Sequence, residues 1–214
     1  GGQPRQSGQL VQECGVGLVT LQSIESRWAF AAPALQRQNP APAPLAKVLD
    51  ALGLQATEVL AAQDLNNGPH WLGLLIDSVD RLLALDPDHA ALKRLGTKVG
   101  VAAKRGTSAD GLIRRANREA RAFAQSTHLA NDPTNLEVRA FAAPVGIAED
   151  PVTGSLNASL AQWLMAEGHM PSRYSARQGT ALGRAGQVFL SQDAQGQVWV
   201  GGDVVGCVEG TVRL

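Results

Sequence analysis

The chain has 214 residues, 44% of them hydrophobic and 18% charged, and 19 basic residues balance 19 acidic ones to a formal net charge of zero. That composition excludes an extended disordered chain and is ample for one large or two small domains with a real core. It leaves no overall electrostatic footprint for nucleic acid or an anionic membrane, and no apolar run approaches the ~20 residues of a membrane span.

The opening GGQPRQSGQ is polar and lacks a signal-peptide core, so a cytoplasmic location is the expectation. Residues 10–21 and 27–31 are β-branched and glycine-bearing runs that predict two strands joined by a turn around 23–26. Asn39-Pro40-Ala41-Pro42-Ala43-Pro44 reads as a linker, and residues 45–53 as a short amphipathic helix closed by Gly53. A loop over 64–69 precedes a buried strand at 71–76. Residues 78–85 read as a short connection, 88–95 as a helix after Pro87, and 99–103 as another strand. Over 109–125, Leu112, Ala116, Ala120 and Phe123 fall at helical spacing opposite Arg114, Arg115, Arg118 and Arg121. A solvated helix face and a site for an acidic ligand or partner are both open readings of those arginines.

The densest segment is Glu149-Asp150-Pro151-Val152-Thr153-Gly154-Ser155. Pro151 fixes its own φ and biases Asp150 to an extended conformation, so the carboxylate projects just before a turn. A helix then begins, with Leu156, Leu160, Trp163 and Leu164 on one face, and ends at Gly168 ahead of Pro171. Free amides at such a helix start form an anion site, with Asp150 beside it as a proton donor or acceptor. On these residues alone, an Asp-Pro turn with a Ser cap is the more ordinary account of the pattern.

Beyond the helix, runs at 173–176, 187–190, 197–200 and 208–214 are short, alternating and glycine-bounded, as in an antiparallel sheet. Helices and strands intersperse without a βαβ repeat, which gives an α+β fold class. There is no P-loop, and no G-x-G-x-x-G opens a helix after a strand. Cys14 and Cys207 lack C-x-x-C spacing and read as free thiols, and His70, His89, His128 and His169 lack metal-ligand spacing, so no metal site is expected.

The stretch EDPVTGSLNASLAQWL resembles the signature of the phenazine-biosynthesis PhzF-like family, relatives of diaminopimelate epimerase. Three further segments resemble that family in order and spacing. They are Leu136 to Pro144, Tyr174 to Gly179 followed by Leu182-Gly183-Arg184-Ala185-Gly186, and Asn67-Gly68-Pro69-His70-Trp71-Leu72. The resemblance implies two similar lobes, each a curved, mostly antiparallel sheet wrapped around a central helix, with the active site between them. It implies that residues 155–167 form the second lobe's central helix. Residues 1–38 would be the remaining strands of the first lobe, 39–200 the second lobe with an insertion at about 104–134, and 201–214 a C-terminal strand returning toward the first lobe.

For function, the resemblance implies a cofactor-independent isomerase that moves a proton in a small carboxylated metabolite. Asp150 and Ser155 are then the catalytic candidates, and Thr153, Gly154 and Ser155 the substrate-binding ones. A homodimer is implied, with neither nucleic acid nor membrane as partner. Amino-acid racemases among the relatives use two cysteines, whereas Cys14 and Cys207 match no such motif. The family's glutamate and Gly-His pair match nothing here, and Glu13 and Glu25 sit in no catalytic motif. With Gly1-Gly2 in place of an initiating Met, the expectation is a chain short of the family's opening segment and inactive alone. The competing reading is a non-catalytic binding protein on the same scaffold.

Overall fold

The computed structural model describes residues 7–25, 27–105 and 134–211. Its elements run β1 (Gln9–Cys14), β2 (Gly17–Ile24), β3 (Arg27–Ala31), β4 (Gln36–Gln38), α1 (Pro42–Leu52), β5 (Val59–Asn66), β6 (His70–Ile76), α2 (Val79–Leu83), α3 (His89–Leu95) and β7 (Val99–Lys104). They continue with β8 (Leu136–Ala142), β9 (Ile147–Asp150), α4 (Gly154–Ala166), β10 (Arg173–Gln178), β11 (Gly186–Gln192) and β12 (Val198–Gly202). The fold class is α+β. The arginine-rich 109–125 segment lies outside the described residues.

All twelve strands join one mixed sheet in the order β1-β2-β3-β12-β11-β10-β8-β7-β6-β5-β4, with β9 added beside β8. Only the β6–β7 and β8–β10 pairings are parallel. Strand β3 pairs directly with β12, so the first strands of the chain continue the sheet built by its last ones.

Strands β6, β7 and β8 are buried on both faces; β6 and β7 read accordingly as near-continuous apolar runs, whereas β8 carries the buried Glu137 and Arg139. On one face, Trp71, Leu75, Ala102, Val138 and Ala140 join a core around α4, completed by Leu156, Leu160, Trp163, Leu164, Tyr174, Val188, Leu190, Val198 and Val200. On the other, Leu72, Leu74, Ile76, Val99, Val101 and Phe141 pack on Val48, Leu49 and Leu52 of α1, Leu82 of α2 and Leu92 of α3.

Two glycines let the sheet close on α4. A Cβ on Gly73 would come 2.7 Å from a Leu65 methyl and 3.1 Å from the Trp163 ring, and one on Gly100 would overlap the Leu156 side chain. Helix α4 is accordingly buried nearly all round, including the polar Asn157 and Ser159.

Several elements depart from the sequence reading. Residues 10–21 are not one strand: Gly15 and Val16 turn the chain, and Cys14 pairs with Gly17 to close a β1–β2 hairpin. The expected Pro-rich linker is the first turn of α1, where the missing N–H groups of Pro42 and Pro44 would have no intrahelical acceptor anyway. Strand β5 was hidden by Ala61, Ala62, Gln63 and Asp64, weak β formers held in line by pairing along β6. Residues 203–211 form no strand; Val204, Val205 and Val208 are exposed there and pack on nothing that would reward pairing. No helix among the described residues is long and apolar enough to cross a membrane.

Two outcomes follow. Gly100→Ala must displace Leu156 or the strand, at a cost of about 1–3 kcal/mol, which at ~2–4 °C per kcal/mol for a chain of this size is visible in thermal unfolding by circular dichroism. An unchanged Tm would mean that α4 has room to spare. Strand β1 is a sheet edge carrying exposed Val11, beside exposed Val16 and Leu18 on the same hairpin. Residues 1–214 alone should therefore self-associate in size-exclusion chromatography with light scattering, and Val11→Lys should shift the population toward monomer.

Candidate active site

The site residues are positioned from two sides. Strand β8 places Ala140 opposite Asp150, and β9 is anchored to it by a buried ion pair. Arg139 Nε and Nη2 donate to the two Glu149 carboxylate oxygens at 3.0 and 2.6 Å, with both side chains at 7% exposure or less. The remaining terminal nitrogen, Nη1, donates to the Leu82 and Leu85 carbonyls, so one guanidinium ties β9 to the α2 turn. Alternation along β9 then directs Asp150 away from Glu149's side of the strand. Glu149 is the structural member of the pair and Asp150 the half-buried, available one.

From the other side, Gln178 at the end of β10 holds the turn. It is fully buried. Its Oε1 accepts from the Thr153 amide (3.1 Å) and from Asn157 Nδ2 (2.8 Å). Its Nε2 donates to the Asp150 carbonyl (2.8 Å) and to Thr153 Oγ1 (3.0 Å). The next residue, Gly179, has φ +90°, and a Cβ there would sit 2.7 Å from the Pro151 carbonyl oxygen. A Cβ on Gly186 would overlap Val152. The Q-G and G-R-x-G segments thus form the bed on which the Asp-Pro turn lies. Gln178 was present in the quoted motif, but nothing in its spacing signalled that it touches the signature.

The structure brings Asp150, Thr153, Gly154 and Ser155 together at the start of α4. Thr153 Oγ1 donates to Asp150 Oδ2 at 2.7 Å. Expected to contact substrate, Thr153 has both its hydroxyl and its amide engaged within the protein. The Gly154 and Ser155 amides, at the first two helical positions, have no acceptor among the described residues. Residues the sequence reading passed over complete the surround. Phe30 of β3 lies against Gly154, where a Cβ would meet its ring at 3.5 Å. Asn67 Nδ2 donates to the Ser155 carbonyl at 3.0 Å, and buried Asn67 Oδ1 has no partner.

Other motif residues serve packing. Tyr174 is buried in the α4 core, and that burial pushes its phenol far above the ordinary tyrosine range, so it stays protonated at working pH and takes no part in proton exchange. Glu25 is exposed and pairs with Arg173, and Glu13 is exposed on β1. A cavity of about 300 Å³ lies away from the signature, lined by Arg27, Ala29, Phe189, Trp199 and Gly201. Its aromatic residues alternate along β11 and β12 with those packed on α4, which places them on the opposite face of the sheet. Among the described residues no group of three or more His, Cys, Asp or Glu could hold a metal ion.

A sequence model of the phenazine biosynthesis-like (PhzC-PhzF) family matches residues 2–210. No curated protein gives a significant sequence match. Among solved structures, a PhzF-family phenazine biosynthesis protein of Bacillus anthracis is similar at TM-score 0.65 and 14% identity, over 92% of this chain and 65% of its own. One from Enterococcus faecalis gives 0.60 and 19% identity, over 92% and 61%. A predicted epimerase of Pseudomonas aeruginosa gives 0.62 and 18%, over 91% and 62%. The chain therefore spans less than two thirds of the length of each, and at these identities the likeness bears on the fold.

The buried ion pair makes a sharp stability test. Arg139→Met leaves Glu149 charged and unpaired and should cost about 3–5 kcal/mol in denaturant unfolding. A loss below about 1 kcal/mol, the worth of an exposed pair, would show that Glu149 reaches water.

Proposed function

The chain belongs to the phenazine biosynthesis-like family, and on that premise we propose that it carries the second-lobe half of a cofactor-independent isomerase site. One observation supports this reading above the rest: a half-buried carboxylate, Asp150, is held beside a helix start whose Gly154 and Ser155 amides have no acceptor. The first amides of a 13-residue helix present aligned dipoles and hydrogen atoms to an anion. A small carboxylated metabolite would dock its carboxylate there. The Ser155 hydroxyl adds a further hydrogen bond, and the reacting carbon lies over Asp150.

Asp150 would then take a proton from one carbon, leaving the electron pair in the substrate's unsaturated system. Return of a proton to a different carbon completes the isomerisation. Such a reaction changes neither oxidation state nor composition and needs no redox group. Asp150 Oδ2 accepts a hydrogen bond from Thr153, which orients the carboxylate for the role of a base. The glutamate and Gly-His pair implied by the family resemblance have no match within residues 1–214, so the second proton-handling group lies outside the site described.

The binding half is tested directly on this chain. Titration with a simple carboxylate such as malonate should move the amide NMR resonances of Gly154 and Ser155, and Ser155→Ala should weaken that binding while leaving the amide pattern. Absence of any movement at those two amides would remove the substrate-docking role. In the form of the protein that turns substrate over, Asp150→Asn should lower kcat by about a hundredfold or more, the scale of a positioned acid–base group. A tenfold or smaller fall would reduce Asp150 to a turn-forming residue.

A further inference from the structure

The hydrogen bonds around Gln178 carry directional information that distances alone do not. An amide side chain can be built either way round, but here two backbone groups decide it. The Thr153 N–H can only donate, so the Gln178 atom facing it is the oxygen; the Asp150 carbonyl can only accept, so the other atom is the nitrogen. That nitrogen has two hydrogens. One goes to the Asp150 carbonyl and the second to Thr153 Oγ1. With Oγ1 receiving a hydrogen bond from Gln178, the single Thr153 hydroxyl proton is free to point elsewhere. The acceptor at 2.7 Å is Asp150 Oδ2.

A second observation points the same way. Thr153 is the residue immediately before α4, where a threonine hydroxyl ordinarily accepts from an amide of the first turn. It makes no such bond here. The hydroxyl is turned onto the carboxylate instead, and the Ser155 amide at the second helical position is left without the acceptor a cap would give it. The cap is exchanged for two hydrogen bonds, one given to Asp150 and one received from Gln178.

We infer that Gln178 is a positioning residue that fixes the direction of the Thr153–Asp150 hydrogen bond, so that Asp150 exchanges its substrate proton through Oδ1 alone. Oδ2 is occupied as an acceptor, whereas Oδ1 has no hydrogen-bond partner among the described residues. The transferred proton arrives on Oδ1 and leaves from Oδ1, while the Thr153 proton stays on Oγ1 throughout. In this role Gln178 and Thr153 act through Asp150. The inference rests on the isomerase reading for what Oδ1 does, and on this geometry alone for which oxygen is left available.

The test uses residues 1–214 labelled with carbon-13 and nitrogen-15. In the wild type, the Thr153 hydroxyl proton should be slowly exchanging, with an NOE to the Gln178 side-chain amide. Replacing that proton by deuterium should also shift the Asp150 carboxyl carbon. Gln178→Glu keeps the shape but puts an acceptor where the donor was, so the hydroxyl turns away and the isotope shift at Asp150 disappears. Should Gln178→Glu not fold, Thr153→Val and Thr153→Ser carry the comparison: valine abolishes the isotope shift and serine restores it. A Thr153 hydroxyl in fast exchange with water, or an isotope shift that survives Gln178→Glu or Thr153→Val, overturns the assignment.

In the turning-over form, Thr153→Val should lower kcat by about tenfold or more with KM little changed, as expected for lost orientation rather than lost binding. Thr153→Ser should recover most of it. The two readings fail differently: a wild type that moves no substrate proton sinks the isomerase, whereas an active wild type matched by Thr153→Val sinks the positioning role.

Discussion

Enclosing α4 within a single sheet is the constraint from which the rest of the molecule follows. A helix buried all round cannot present a functional side face, so its chemistry is confined to its ends. To wrap it, the sheet needs places where no side chain intervenes, and Gly73 and Gly100 supply them against Trp163 and Leu156. The helix in turn must be small where the strands approach, hence Ala158, Ser159 and Ala161, and bulky where gaps remain, hence Leu160, Trp163 and Leu164. Deep burial also sharpens the end that is left open. Aligned peptide dipoles act more strongly where water is excluded, so two unpaired amides there matter more than on a surface helix.

Such an enclosure makes the turn before the helix the most demanding part of the chain. Residues 150–153 must carry it from β9 into the sheet's interior without leaving buried polar groups unpaired. The solution is cooperative: Gln178 makes four hydrogen bonds to the turn and to Asn157, Gly179 and Gly186 remove the side chains that would obstruct Pro151 and Val152, and Arg139 fixes β9 through Glu149. The signature and the Q-G and G-R-x-G segments are one physical unit. Their common appearance in the sequence follows from contact, not from separate roles.

The elements legible from sequence were those whose pattern is set by burial or by a cap. Strand β6, strand β7 and helix α3, with the Asp88 carboxylate accepting from the Ala91 amide, appear where periodicity put them. What was missed depends on partners distant in the chain. Strand β5 is a strand because β6 lies beside it, and the Pro-rich segment is helical because its prolines fall in the first turn rather than beyond it. The same holds at the site. Asp150, Thr153, Gly154 and Ser155 were found from local turn chemistry and the family motif. That Gln178, 25 residues on from Thr153, would govern Thr153 could not be read from either. Nor could the approach of Phe30, which depends on β3 pairing with β12.

Among the titratable groups on β8, β9 and β10, three are taken up by the packing around them. Glu137 is fully buried and held by Arg105 and Thr180. Glu149 is matched bidentately by Arg139, and protonating it would strand a buried guanidinium. Tyr174 is raised out of range by the core that surrounds it. Asp150 differs from all three: it is half-buried, Oδ2 accepts from Thr153, and Oδ1 has no hydrogen-bond partner among the described residues. Pro151 and Gly154 already shape the backbone there, so the bonds from Thr153 and Gln178 fix the Asp150 side chain and carbonyl beyond what the turn itself requires.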